Sequence, residues 1–339
     1  MSDFPDLPVS IADIREAART IAGAADGTPL VPSAFMEEVT GHPYWMKLEI
    51  GQATGAFKLR GATNAIRRVG DVPGVVCCST GNHGRAVAFA ANEAGIPAVV
   101  CMSELVPEAK VARIRAMGAE VVIEGQSQDD AQKAADRMVE TRGLVEVPPF
   151  DHPDVIAGQG TIGLEMLEAR PGLSTLIIPL SGGGLAAGVA VAAKALDPDI
   201  RIIGVTMENG AAMDASIRAG RPVEVREVAS LADSLGGGIG LSNRYSFPIC
   251  RDLLDEIVLV TEEEIRDGMQ ALFFEDALVA EGASAVAHAA ILAGKITVGG
   301  PTGTIITGRN LDTSAFMRIM AGEDVALGEA TLKGKAYGT

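Results

Sequence analysis

Short apolar runs rich in β-branched residues alternate with longer stretches of helical periodicity along almost the whole chain. No other feature restricts the fold as much. The strand candidates are Tyr44–Leu48, Gly74–Ser79, Ala98–Met102, Glu120–Ile123, Thr175–Pro179, Arg201–Thr206, Glu256–Val260 and Gly303–Thr307. Helical patterns fall between them, at about 10–22, 58–68, 83–94, 107–117, 127–142, 153–169, 184–196, 262–275 and 282–293. Strands that each hand over to a helix pair in parallel, because a parallel neighbour needs a crossover long enough to hold one. The chain therefore reads as α/β, with mainly parallel sheets flanked by helices. Local signals agree: Ser10 followed by Asp13 resembles a capping box, and Pro107 stands where a first-turn proline is tolerated.

The 339 residues suffice for two compact lobes. The stretch from Val75 to Pro148 holds three complete strand–helix units and closes at Pro148-Pro149. The expected organisation is a larger lobe built from 1–74 and 149–322, a smaller lobe of 75–148 inserted into it, and a C-terminal tail of 323–339 where periodicity is lost.

The net charge of −16 repels phosphate backbones and anionic bilayers, so neither nucleic acid nor a membrane surface is an expected partner. One small anion in a local site remains compatible with it. The four cysteines (Cys77, Cys78, Cys101, Cys250) form no CxxC pair and read as reduced core thiols of a cytoplasmic protein. The four histidines show no zinc-ligand spacing. No apolar run reaches the roughly 20 residues of a membrane span, and Met1-Ser2-Asp3-Phe4-Pro5 lacks the basic start of a signal peptide.

Four segments carry chemistry. In Gly55-Ala56-Phe57-Lys58-Leu59-Arg60-Gly61 a lysine sits between an aromatic and an aliphatic residue at a helix start. Partial burial there would lower its pKa and free the amine for imine formation; a lysine snorkelling from a helix end fits the same seven residues. In Ser79-Thr80-Gly81-Asn82-His83-Gly84-Arg85, hydroxyls and backbone N–H groups at a helix N-terminus suit a carboxylate or phosphate. In Ser181-Gly182-Gly183-Gly184-Leu185, three glycines let backbone N–H groups approach phosphate oxygens. The GxGxxG spacing fails, and no acidic residue ends the following strand, so one monophosphate fits better than a dinucleotide. Thr307, at the end of the last strand candidate, places a hydroxyl where it can meet a ring nitrogen or cap a loop.

In this order the four segments resemble the serine/threonine dehydratase and serine racemase family of fold-type II pyridoxal-phosphate enzymes, over about residues 10–315. The resemblance implies the tryptophan synthase β-like fold and a pyridoxal 5′-phosphate cofactor held by Lys58 as a Schiff base, with Phe57 packed beside it. It implies that Asn82 meets the ring hydroxyl, that Ser79, Thr80 and His83 hold the substrate α-carboxylate, and that Ser181, Gly182, Gly183, Gly184 and Leu185 cradle the phosphate. Thr307 would meet the pyridine nitrogen, leaving it unprotonated, which suits β-elimination. Glu208, Ala212 and Asp214 match the spacing of the family's divalent-cation site, suited to Mg²⁺, Ca²⁺ or Mn²⁺. A homodimer is implied as well.

Two departures bear on the substrate. Thr80 stands where racemising members have serine as acid/base, which weakens the case for racemisation. Arg85 replaces the more usual glutamine; it either faces solvent or offers a bidentate site for a second carboxylate. The runs Val147–Thr161 and Ala232–Tyr245 resemble the dehydratases of hydroxyectoine utilisation and the β-hydroxyaspartate dehydratases. The expected activity is thus loss of water from a β-hydroxy amino acid, with 3-hydroxyaspartate first, giving an oxo acid and ammonia. Arg85, with Arg244 in reserve, would bind the additional anionic group. A hydroxyectoine-utilisation dehydratase, a threonine/serine dehydratase, a serine racemase, a β-replacement synthase and a non-catalytic binding protein are the competing readings.

Overall fold

The computed structural model describes residues 7–25, 27–79, 81–106 and 108–339. The strands, in chain order, are β1 (Leu30–Pro32), β2 (Tyr44–Leu48), β3 (Val75–Cys78), β4 (Ala98–Met102), β5 (Glu120–Ile123), β6 (Val145–Glu146), β7 (Thr175–Pro179), β8 (Arg201–Met207), β9 (Glu256–Val260), β10 (Thr302–Ile306), β11 (Val325–Leu327) and β12 (Ala330–Leu332). Six form one sheet in the order β1-β2-β10-β7-β8-β9, parallel throughout except where β1 meets β2. Four form a second, wholly parallel sheet, β5-β4-β3-β6. The chain is an α/β protein of the expected parallel kind. Strands β3, β4, β7 and β10 are buried along their full length, because helices cover both faces of a parallel sheet.

Ser10 and Asp13 form the reciprocal capping box of the helix Ile11–Ile21. The next turn of sequence signal, at Pro107, lies outside the described residues; its helix runs Glu108–Ala116. The four cysteines are buried free thiols, as expected. The stretch after Gly322 is more than a tail. Strands β11 and β12 make an antiparallel hairpin, Arg266 and Gln270 donate to the carbonyls of Lys333 and Lys335, and Tyr337 stacks on Phe274.

The helix Lys58–Arg68 is set in place by charge and by missing side chains. Arg60 is fully buried, and a buried guanidinium must be paired. It meets Glu49 at 2.8 and 2.9 Å and Glu165 at 2.6 and 2.9 Å, and donates to Thr161 Oγ1 at 3.0 Å. Lys47, the penultimate residue of β2, completes the cluster, 2.5 Å from Glu165. Gly61 on this helix meets Gly158 on the helix Pro153–Ala169; a Cβ on Gly158 would lie 2.6 Å from Gly61 Cα. The crossing is therefore closer than any side chain allows. Replacing Arg60 with alanine should leave two carboxylates and Lys47 imperfectly paired, costing about 3–5 kcal/mol. Denaturant unfolding measures this, and a loss below about 1 kcal/mol would mean that the pairing is not what holds the helix.

Candidate active site

The C-terminal ends of parallel strands collect the chemistry-bearing loops, as expected for ligand sites of such sheets. The segment Glu49–Phe57 follows β2, Ser79 follows β3, Ser181 follows β7 and Thr307 follows β10. The first and last are zipped together by backbone: Phe57 N–H donates to Thr307 O at 2.9 Å, and Arg309 N–H to Gly55 O at 3.0 Å.

Lys58 is the first residue of its helix, and its Nζ donates to Pro149 O at 2.6 Å. Its amine lies 5.3 Å from the Phe57 ring centroid. Burial pulls the ammonium down to about 8, partly offset by the Glu281 carboxylate. A minor fraction of the amine, on the order of a tenth, is then free base near neutral pH, far more than for an ordinary lysine, and that is the form imine chemistry requires.

Asn82 opens the helix Asn82–Ala94 and is held on both sides of its amide. Its Nδ2 donates to Glu281 at 2.9 and 3.2 Å, and its Oδ1 accepts from Asn310 Nδ2 at 2.7 Å. Asn310 also donates to Thr54 O and accepts from Arg85. Arg85 is only 7 % exposed, so the structure turns it toward Asn310 and away from solvent. Burial lowers its pKa, as does the nearby Arg113, while the Glu281 carboxylate acts against both. His83 is buried, with Nε2 2.7 Å from Val147 O. Ser79 is partly buried at the mouth of the loop; its carbonyl would lie 2.3 Å from a Cβ on Gly84, so the loop closes only over glycine. Thr80 lies outside the described residues.

The glycine segment is packed as a cradle. Gly183 has φ +89 and caps the helix Gly184–Leu196, a backbone conformation that glycine adopts without strain. A Cβ on Gly182 would lie 2.3 Å from the Phe150 ring. Ser246 Oγ donates to Gly182 O at 2.7 Å. Ser246 is itself fixed by Asp151, whose carboxylate accepts from the N–H groups of Arg244, Tyr245 and Ser246 at 2.8 to 2.9 Å. Leu185 is buried just inside the helix and Ser181 is half-buried before it. The helix N-terminus with its unspent N–H groups is suited to a phosphate. Thr307, 2 % exposed, shares a 3.0 Å hydrogen bond with Ser284.

Glu281 had no role in the sequence reading, yet it sits at the centre. It is buried, accepts from Asn82 and Ser234, and takes the Asn310 N–H at 3.3 Å. Burial raises its pKa. One glutamate before Gly-Ala-Ser carries no signal by itself; only the fold brings it to Asn82, 199 residues away. Arg244 is exposed and contributes a backbone N–H. Asp214 pairs with Arg218 at 2.9 Å and Glu208 is exposed after β8. Among the described residues no group of three or more His, Cys, Asp or Glu side chains could hold a metal.

A family model described as pyridoxal-phosphate dependent enzyme matches residues 21–308. The chain belongs to that family. A relative from Sinorhizobium fredii named putative threonine dehydratase is 51% identical over 326 residues, covering 95% of this chain and 98% of the relative. Among solved structures, maize serine racemase is 33% identical with a TM-score of 0.86, covering 92% of this chain and 97% of that one. A pyridoxal 5′-phosphate-dependent aspartate racemase is 29% identical with a TM-score of 0.84, covering 92% and 99%. The residues present fit the family's cofactor: a lysine amine with lowered pKa, a helix N-terminus built of glycines, and a buried hydroxyl at Thr307.

In Gly182→Ala the new methyl would displace the Phe150 ring and open the cradle. The expected outcome is a folded protein that loses bound pyridoxal phosphate on dialysis, read by visible absorbance. Full retention would show that the cradle tolerates the methyl.

Proposed function

We propose that the chain is a pyridoxal-phosphate-dependent dehydratase, an ammonia-lyase that removes water from a β-hydroxy amino acid, with 3-hydroxyaspartate as the preferred substrate and oxaloacetate and ammonia as products. The observation that carries the substrate preference is Arg85: a guanidinium 7 % exposed, tied to Asn310, with no carboxylate in ion-pair range among the described residues. A buried guanidinium with donors to spare favours an anion, and a distal carboxylate satisfies it bidentately. The likeness to an aspartate racemase supports an acidic substrate in this fold.

The bound cofactor would supply the electron sink for the carbanion at the substrate α-carbon. Lys58 would hold the cofactor and, once free, would take the α-proton at its Nζ. The N–H groups and hydroxyl of the Ser79–His83 loop bind the α-carboxylate, with Thr80 in that loop. Asn82, clamped between Glu281 and Asn310, would address the ring hydroxyl. Thr307 would meet the ring nitrogen, and Ser181 to Leu185 would hold the phosphate. The β-hydroxyl departs with a proton as water, and hydrolysis of the imino acid gives oxo acid and ammonia.

Turnover of threonine is the second reading, favoured by the name of the 51% identical relative. An ammonia-release screen separates the two. It compares both 3-hydroxyaspartate diastereomers with threonine, serine and a hydroxyectoine-derived amino acid. Arg85→Gln should lower kcat/KM for 3-hydroxyaspartate about 100-fold while leaving threonine turnover intact. Equal loss on both substrates would remove Arg85 as the distal-anion group. Lys58→Ala should lose the cofactor's visible absorbance together with activity; retained absorbance would sink the lysine assignment.

A divalent cation held by Glu208, the Ala212 carbonyl and Asp214 belongs to the same proposal, with the ion competing with Arg218 for Asp214. Mg²⁺ should then raise the unfolding temperature of EDTA-treated protein; no difference counts against the site. A homodimer, tested by light scattering, completes the proposal.

A further inference from the structure

One short strap holds two side chains of the site. Val147 O faces His83 Nε2 at 2.7 Å, and Pro149 O accepts from Lys58 Nζ at 2.6 Å. Pro148 and Pro149 have no N–H, so over these two residues the strap offers only acceptors. A carbonyl cannot donate, so His83 Nε2 carries the hydrogen and the neutral ring keeps its lone pair on Nδ1. His83 is 3 % exposed, and its Nδ1 is buried with no hydrogen-bond partner among the described residues. An orphaned buried acceptor costs about 1–3 kcal/mol, a cost that a donor reaching Nδ1 would remove. The charged group felt at Lys58 is Glu281, and the one felt at His83 is Lys58.

We propose that His83 is a positioning residue for Lys58: its Nδ1 accepts a hydrogen bond from the Lys58 amine once that amine is free, and so holds it where it meets the substrate proton. This rests on Lys58 being the cofactor lysine. Burial, with the Lys58 cation beside it, pulls His83 down to about 3. The imidazole is thus neutral at any working pH; an imidazolium would have no lone pair to offer and would repel the ammonium. With Pro149 O and His83 Nδ1 on two of its positions, the amine has one direction left for its lone pair. A hydrogen bond to an ammonium also favours the charged form. His83 therefore acts against burial, and its removal should let the Lys58 pKa fall further.

Two variants separate this role from the strap bond. Glutamine reaches as far as Nε2 and can still donate to Val147, with no acceptor at the Nδ1 position. Asparagine places an oxygen at the Nδ1 position and falls short of Val147. The readout is cofactor uptake by enzyme resolved of pyridoxal phosphate, followed by visible absorbance against pH. The lysine nitrogen must be unprotonated to form the C=N bond and release water. In His83→Gln the pH midpoint should drop by about one unit with the unfolding temperature unchanged, and the low-pH limb of kcat should drop with it. In His83→Asn the unfolding temperature should fall and the midpoint stay. A wild-type midpoint in His83→Gln, or the same shift in both variants, overturns the proposal. Imidazole nitrogen shifts of His83 in the wild-type holoenzyme test it without a variant: the Nε2–H neutral tautomer is required, and an imidazolium or an Nδ1–H ring refutes it. If Lys58→Ala still acquires the absorbance, the lysine assignment has failed, a result distinct from any of these.

Discussion

The buried guanidinium of Arg60 is the interaction on which the arrangement of the site depends. It lies two residues after Lys58, on the first turn of the same helix, and is fully desolvated. Its cost is offset only because Glu49 and Glu165 meet it on separate edges while Thr161 takes a further N–H. Those partners come from the segment after β2 and from the helix Pro153–Ala169. Pairing one charge thus fixes the axial position and the rotation of the helix that presents Lys58. The Gly61–Gly158 contact then fixes how closely the two helices approach. Together they decide where the lysine amine points, and that amine reaches Pro149 O as a consequence.

A strongly acidic chain has assembled a site for anions, and local structure explains how. Most of that charge is remote from the strand ends, where the helices Asn82–Ala94 and Gly184–Leu196 open with backbone N–H groups beside the Lys58 amine and the buried Arg85. N–H groups at a helix end carry partial positive charge that needs no counterion and is little affected by distant screened charges. Glu281 is the exception, a carboxylate inside the site. Its hydrogen bonds from Asn82, Ser234 and the Asn310 backbone favour its anion, whereas burial favours the protonated form.

The amide of Asn82 illustrates how order spreads from one group to the next. Thr54 O and the Arg85 guanidinium fix which end of the Asn310 amide donates, so Asn310 Nδ2 donates to Asn82 Oδ1 and the two ends of the Asn82 amide cannot be exchanged. Asn310 in turn accepts from Arg85. A residue from the helix Asn82–Ala94, one from the turn after β10, and one before the helix Gly282–Leu292 thereby share a single hydrogen-bond network between the two sheets. Such a network is fully specified only when every member is present.

The sequence by itself determined the α/β class, the parallel sheets, and the identity and order of the lysine, loop, cradle and hydroxyl segments. These are local properties: strand–helix alternation, glycine runs and caps are written over a few consecutive residues. Two-turn helices such as Ala34–Thr40, Ser246–Leu253 and Thr313–Met320 were illegible because seven or eight residues are too few to establish a period. The tertiary structure alone decided which way Arg85 faces, that Glu281 and Asn310 clamp Asn82, and that Asp151 holds the turn behind the cradle. Each of these is a contact between residues 90 or more positions apart, with no periodicity to announce it. A single charged or amide side chain reads the same on a surface as in a core; only its desolvation and its partners, which the fold supplies, distinguish the two.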